Sequence, residues 1–318
     1  MRSKLTAGMA TVAMLAMTTA AAQAAEKPGA AVDGTAQVTA TSATLKGRVN
    51  PKGSATTYFF QYGKGSSFTA QSGPASAGVG TKAVAVTAPV VGLEPATKYS
   101  FRIIATSAGG AVTSAAKSFT TPKQPLDFTL AAAPNPVPFG GATTVGGRLT
   151  GTGSAGRGIQ LQQKAFPYTA GFANVGNPQV TDATGGFAFP ILSLGINTQY
   201  RVVTTGANPI TSPIALVGAA VVVRVAISDH SIKSGQLVRF AGTVTPRSDG
   251  ALYAVQKQRG STWVTVGGSS LRQDSATKSK FAKSLRIRHS GTYRIYVGVN
   301  SGAYVSSASS SQKISIKK

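Results

Sequence analysis

Two strand-like patterns recur at a spacing of roughly one hundred residues, and this recurrence limits the possible folds more than any other feature of the chain. The first is an apolar-Gly-polar-apolar run: Leu45-Lys46-Gly47-Arg48-Val49, Val145-Gly146-Gly147-Arg148-Leu149 and Phe240-Ala241-Gly242-Thr243-Val244. The second is a later run opening on tyrosine: Tyr99-Ser100-Phe101-Arg102-Ile103, Tyr200-Arg201-Val202-Val203 and Tyr293-Arg294-Ile295-Tyr296-Val297. A chain of 318 residues exceeds what one core usually organises. The recurrence therefore predicts three domains.

The second and third copies agree further. Leu161-Gln162 matches Val255-Gln256, Phe172-x-x-Val175-Gly176 matches Trp263-x-x-Val266-Gly267, and Phe187 matches Phe281. Val, Ile, Thr, Ser, Ala and Gly dominate, and short apolar alternations are separated by Gly, Pro, Asn and Ser turns. That is strand rather than helix composition. A unit of this length with about seven strands has the size of an immunoglobulin-like sandwich, which buries one face of each of two sheets. The expected fold is all-β, three tandem sandwiches forming an elongated rod. The expected domains are 31–122, 126–225 and 228–318.

The first copy can be placed more closely. Leu45-x-Gly47-x-Val49-Asn50-Pro51-x-Gly53-x-x-Thr56-x-Tyr58-x-Phe60-x-Tyr62-Gly63 is followed by Leu93-x-Pro95-x-Thr97-x-Tyr99-x-Phe101-Arg102-x-x-Ala105 and Phe119-Thr120-Thr121-Pro122. Over residues 31–122 this resembles bacterial fibronectin type III domains of secreted proteins. The following two repeats resemble bacterial immunoglobulin-like domains more loosely. The resemblance implies that Leu93, Pro95 and Tyr99 form a tyrosine corner, with the Tyr99 hydroxyl bonded to backbone upstream. The early strand has Leu45 or Gly47 where family members often carry Trp, and no Arg-Gly-Asp tripeptide offers integrin-type recognition.

At the amino terminus, Arg2 and Lys4 precede an apolar run from Leu5 to Ala22, and Ala22-Gln23-Ala24 supplies a small-x-small cleavage site. Residues 1–24 thus read as a signal peptide, and the mature protein is expected outside the cell, secreted or cell-wall associated, without a membrane segment. The absence of cysteine excludes disulfides, thiolate metal sites, a Cys nucleophile and a lipid-modified Cys.

Little else in the sequence suggests chemistry. Eight acidic residues, Glu26, Asp33, Glu94, Asp127, Asp182, Asp229, Asp249 and Asp274, are spread over three domains and sit mostly in turns, whereas glycosidases need two facing carboxylates. The two histidines, His230 and His289, lie beside Ser and turn residues, with no Gly-x-Ser-x-Gly elbow for a triad. Asp182 alone does not make a calcium site, and no glycine cluster has phosphate-loop spacing. No catalytic, metal-binding or cofactor-binding residue is assigned, and no enzyme activity is expected.

Charge supplies the main functional signal. Lys and Arg number 32 against 8 acidic residues, a net +24. Residues 226–318 carry 15 against 3, net +12, while residues 125–225 carry 5 against 2, net +3. Period two places Phe281, Leu285 and Ile287 on one side of a strand and Lys278, Lys280, Arg286 and Arg288 on the other, predicting a basic stripe that faces water. The expected partners are an anionic cell-wall polymer, an extracellular polysaccharide or, without sequence specificity, nucleic acid, held by a monomer. The rival expectation is a carbohydrate-binding accessory protein of a polysaccharide-degrading system, using Trp263, Tyr253, Tyr296 and Tyr304 as an aromatic platform.

Overall fold

A computed structural model describes residues 24–317. The expected signal peptide, residues 1–24, lies outside them except for Ala24. Every regular element among the described residues is a strand, and the chain is a tandem of β-sandwiches. Backbone contacts divide it into two compact units, residues 1–124 and 125–318.

In the first unit, strands Gly29–Ala36, Ser42–Asn50 and Val84–Val91 form one sheet. The other is built on the pairing of Thr56–Lys64 with Lys98–Ser107, the latter also taking Gly110–Thr113 and Lys117–Thr120. Period-two alternation sends Leu45, Val49, Val86, Phe60, Phe101 and Ile103 between the sheets, where each is buried. Each such side chain contributes about 1.5–3 kcal/mol.

The second unit holds two cores. One gathers Phe128, Val145, Leu149, Ile159, Leu161 and Val202, and the other Val238, Phe240, Val244, Val255, Ile295 and Ile314. The boundary expected between residues 225 and 228 is corrected. Strand Val222–Ile227 pairs along its length with Gln236–Thr245, and Val221 and Val223 pack into the third core. The chain therefore enters the third sandwich at Val221, directly after Ala219–Ala220 has paired with Val137–Pro138 of the second.

These two sandwiches are joined by specific bonds. Asn197, nearly buried, donates through Nδ2 to Gly302 O (2.9 Å) and accepts at Oδ1 from the Ala219 N–H (2.8 Å). Its own N–H donates to Ala303 O. Val305 donates to Ala219 O and accepts from the Val221 N–H, and Tyr304 packs on both cores. The second and third repeats thus share backbone hydrogen bonds.

The recurrent glycine has a steric cause. A Cβ on Gly147 would lie 2.0 Å from Thr129 O, and one on Gly242 only 1.9 Å from Arg224 O. The neighbouring strand approaches too closely for any side chain at this position in either copy, and Gly47 faces Ala31 O in the same way at 2.5 Å.

The tyrosine alignment shifts by two residues. Buried Ser114, Ser212 and Ser309 each accept from a strand N–H, those of Ile103, Val202 and Ile295. Counting back from these makes Phe101, not Tyr99, the counterpart of Tyr200 and Tyr293. Alternation alone cannot distinguish two residues of the same parity.

Candidate functional site

The basic face is built by the third sandwich's smaller sheet, ordered Val222–Ile227, Gln236–Thr245, Ser279–Ile287, Arg272–Gln273. Val238, Phe240 and Val244 turn inward, so Leu237, Arg239, Ala241 and Thr243 turn out. Directly paired residues in antiparallel strands share a face. The register therefore writes the outer surface as rows. Arg224, Thr243, Lys280 and Arg272 form the first; Ala226, Ala241 and Ala282 the second; Arg239 and Ser284 the third; Leu237 and Arg286 the fourth.

This puts five cations on one exposed face: Arg224, Arg239, Arg272, Lys280 and Arg286. Rows lie about 7 Å apart and strands about 4.8 Å apart. A row of alanines between the first and third rows leaves the backbone low there. A depression of about 550 Å³ opens on it, with Arg239, Arg272 and Lys280 among its walls. The one carboxylate beside these cations is Asp274, 3.8 Å from Lys280. Arg286 donates to Gly235 O. Among the described residues Arg224, Arg239 and Arg272 make no side-chain hydrogen bond or ion pair, so three guanidinium groups keep their donors for a ligand.

The predicted stripe divides on this surface. Lys280 and Arg286 are both outward but stand at opposite ends of the Ser279–Ile287 strand, about 20 Å apart, with Ala282 and Ser284 between them. Lys278 and Arg288 lie beyond its two ends, and the Lys278 carbonyl closes a turn by accepting from the N–H groups of Asp274 and Ser275. The cations that complete the face, Arg224, Arg239 and Arg272, sit on three other strands. Only strand pairing collects them; Arg239 alone carries a local signal, its alternation with Val238 and Phe240.

The tyrosine-corner residues are together. Leu93 and Tyr99 are buried, and the Glu94 N–H, next to Pro95, donates to Tyr99 Oη at 2.9 Å. The Tyr99 ring stacks on Phe119.

The aromatics named for a carbohydrate platform do not form one: Trp263 and Tyr296 lie on the same outer face of the larger sheet but two rows apart, with the Thr265–Gln256–Arg294 row between them. Tyr253 is buried, donates to Ala282 O and packs on Phe281. Tyr304 packs against Phe139 of the neighbouring sandwich, and Tyr296 is partly exposed. Trp263 has its ring covered by the Arg294 guanidinium, 4.2 Å from the ring centroid, and Arg294 Nε donates to Gln256. The same trio recurs as Arg201 over Phe172 with Gln162, and as Arg102 over Phe68 with Gln61. Each Gln faces its Arg directly across the strand pair. A feature shared by all three repeats belongs to the scaffold, where a cation over an aromatic face contributes about 0.5–1 kcal/mol.

Most carboxylates are already engaged. Glu26, Asp33, Glu94, Asp249 and Asp274 form ion pairs with Lys52, Arg48, Lys64, Arg247 and Lys280. Asp182 Oδ1 accepts from the Thr184 N–H and hydroxyl and from the Gly186 N–H, which hold its carboxyl below the usual range. Asp249 is lowered first by the Ser279 hydroxyl and then by Arg247. His230 Nδ1 meets Lys313 O. No group of three or more metal-binding side chains occurs among the described residues.

No protein-family model and no curated protein matches the sequence. Solved structures similar to the chain include the FN1–FN3 domains of chicken CNTN1 (16% identity, 92% of this chain and 100% of that one, TM-score 0.29). A tetra-tandem repeat from the extending region of a large adhesion protein matches at 11% identity over 91% of this chain and 75% of that one, TM-score 0.31. The sensor domain of the anti-sigma factor RsgI4 of Pseudobacteroides cellulosolvens matches 30% of this chain and 94% of its own at 22% identity, TM-score 0.26. At these TM-scores the likenesses carry no functional argument.

Proposed function

We propose that the protein is an exported, non-catalytic modular binding protein that holds linear phosphate- or sulfate-bearing polymers on the outer face of its third sandwich. The observation that carries this reading is the set of five outward cations on one sheet, three of them with no intramolecular partner. A face on which cations stand from about 5 to about 20 Å apart, around one shallow depression, suits a polymer that carries many anions rather than a compact ligand, which would seek a deep pocket. Screening over about 8 Å at physiological ionic strength makes such binding salt-dependent. The amino-terminal segment supports export, and a cell-wall polymer, an acidic extracellular polysaccharide or a nucleic acid would each present the required charge. The first two sandwiches serve as the spacer.

The test is retention of the mature protein on an immobilised phosphate-bearing cell-wall polymer and on a neutral polysaccharide across a salt series. Changing Arg224, Arg239, Arg272, Lys280 and Arg286 together to Ser is expected to abolish retention on the anionic surface. Changing Lys278 and Arg288 to Ser is expected to leave most of it. Retention that is indifferent to salt, or unchanged in the five-residue variant, overturns the reading.

A further inference from the structure

The third repeat differs from its siblings at one sheet edge. In the first repeat the strand flanking Thr56–Lys64 is broken into Ala70–Gln71 and Ala75–Gly78, with Gly73-Pro74 between them. In the second, the strand flanking Gly158–Ala165 is broken into Ala173–Asn174 and Gln179–Val180, with Asn177-Pro178 between. In the third, Thr262–Ser270 runs as one strand of nine residues and pairs with every residue from Leu252 to Arg259, with one register shift at Val266. It contains neither proline nor charge, reading Thr-Trp-Val-Thr-Val-Gly-Gly-Ser-Ser.

Edge strands expose a row of unpaired N–H and C=O groups, and proteins blunt them with proline, breaks or inward charge. The opposite-sheet edges of the first two repeats also carry proline, Pro89 in Val84–Val91 and Pro190 in Gly186–Ile191. Among the described residues Thr262–Ser270 pairs with the Leu252–Arg259 strand alone, and Val264 and Val266 remain about two-fifths exposed. This edge is thus the longest in the third repeat; it lacks the proline and the break that blunt the corresponding edges of the other two, and its one irregularity is a register shift at Val266.

Charge chooses the occupant. The uncharged strand is bracketed by Arg259 and Arg272, both exposed. A second copy adding antiparallel about the strand's centre would bring Arg259 of one chain towards Arg272 of the other at both ends. Residues 226–318 of each copy also carry net +12. Like charges so placed oppose pairing. An extended segment with an uncharged middle and acidic residues near both ends meets the same edge with attraction. We propose that Thr262–Ser270 is a strand-addition site for an acidic-ended extended polypeptide from another protein, held by main-chain hydrogen bonds. This site lies on the other sheet from the basic face and shares Arg272 with it, so its test reads peptide binding at the strand itself and not polymer retention.

Trp263, the chain's one tryptophan, lies on the strand and reports on it directly. The probe is a synthetic peptide of alternating Thr and Val with Glu at each end, about eleven residues long to span the edge at about 3.3 Å per residue. With the full chain, it is expected to change Trp263 emission and to slow amide exchange within Thr262–Ser270 at least tenfold. A Lys-ended peptide is expected to bind at least tenfold more weakly. Two further peptides carry N-methyl groups on alternate amides, in the two possible phases. Strand addition predicts that one phase abolishes binding and the other retains it, because only one set of amides faces the edge. Val264→Lys and Val266→Lys, both at exposed positions, are expected to weaken binding while leaving the melting temperature within about 2 °C. Three results would overturn the proposal: unchanged amide exchange, equal binding by both methylated peptides, or sedimentation showing that the chain alone dimerises through these amides.

Discussion

Asn197→Ala tests whether the second and third sandwiches are joined as the hydrogen bonds indicate. The substitution keeps the backbone bond to Ala303 O but removes both side-chain bonds. Ala219 is fully buried, so its N–H loses its acceptor with no water to replace it, at about 1–3 kcal/mol. Gly302 is exposed, so its carbonyl recovers most of its loss from solvent and adds at most about 1 kcal/mol. The sum is about 1–4 kcal/mol. For a unit of this size each kcal/mol shifts the melting temperature by about 2–4 °C, giving a fall of roughly 2–16 °C in the transition of the second unit. Differential scanning calorimetry of the full chain measures it, with Asn174→Ala as a surface control that removes only the exposed bond from Gln162. A shift below about 2 °C for Asn197→Ala would refute the reasoning, since the Ala219 N–H would then not depend on this side chain.

Gly242→Ala forces a methyl to within 1.9 Å of Arg224 O and is expected to cost about 1–3 kcal/mol or more in denaturant unfolding, whereas Gly195→Ala, with nothing within 4 Å of its Cβ, stays within about 0.5 kcal/mol. Arg294→Ala uncovers the Trp263 ring and is expected to red-shift its emission and raise its quenching by acrylamide; an unchanged spectrum would show that the guanidinium does not cover the ring in solution. Asp182 and Asp249 have folded-state carboxyls below the usual value, so each stabilises the fold above the ordinary carboxylate range and loses that contribution as pH falls through its lowered value. Stability of Asp249→Ala is therefore expected to decline less steeply than that of the parent below about pH 4, and an unchanged acid limb contradicts the assignment.

The repeat structure was legible because its causes are local. Gly47, Gly147 and Gly242 mark the place where two strands approach too closely for a side chain, and the alternation of Val238, Phe240 and Val244 fixes which face is dry. The basic face was half legible. Lys280 and Arg286 follow from period two on one strand, but Arg224, Arg239 and Arg272 join them only through the register of four strands. Arg224 was hidden further because the chain passes from one sandwich to the next within a few residues, so its strand looked like the end of the second domain. The Gln-Arg-aromatic trio was visible in part as the match of Phe172 with Trp263. Phe68 was missed because its neighbours in sequence differ, and only the cross-strand pairing of Gln61 with Arg102 reveals it.

The basic face itself is tested most directly by the salt dependence of binding to a labelled single-stranded oligonucleotide, a phosphate polymer that imposes no base specificity. On single strands each cation contributes about 0.7 to the slope of log affinity against log salt. Changing the three unpartnered residues, Arg224, Arg239 and Arg272, to Ser is predicted to reduce that slope by roughly 2, while changing Lys278 and Arg288 leaves it nearly unchanged. An equal slope in the triple variant and the parent would contradict the claim that this sheet face holds the polymer.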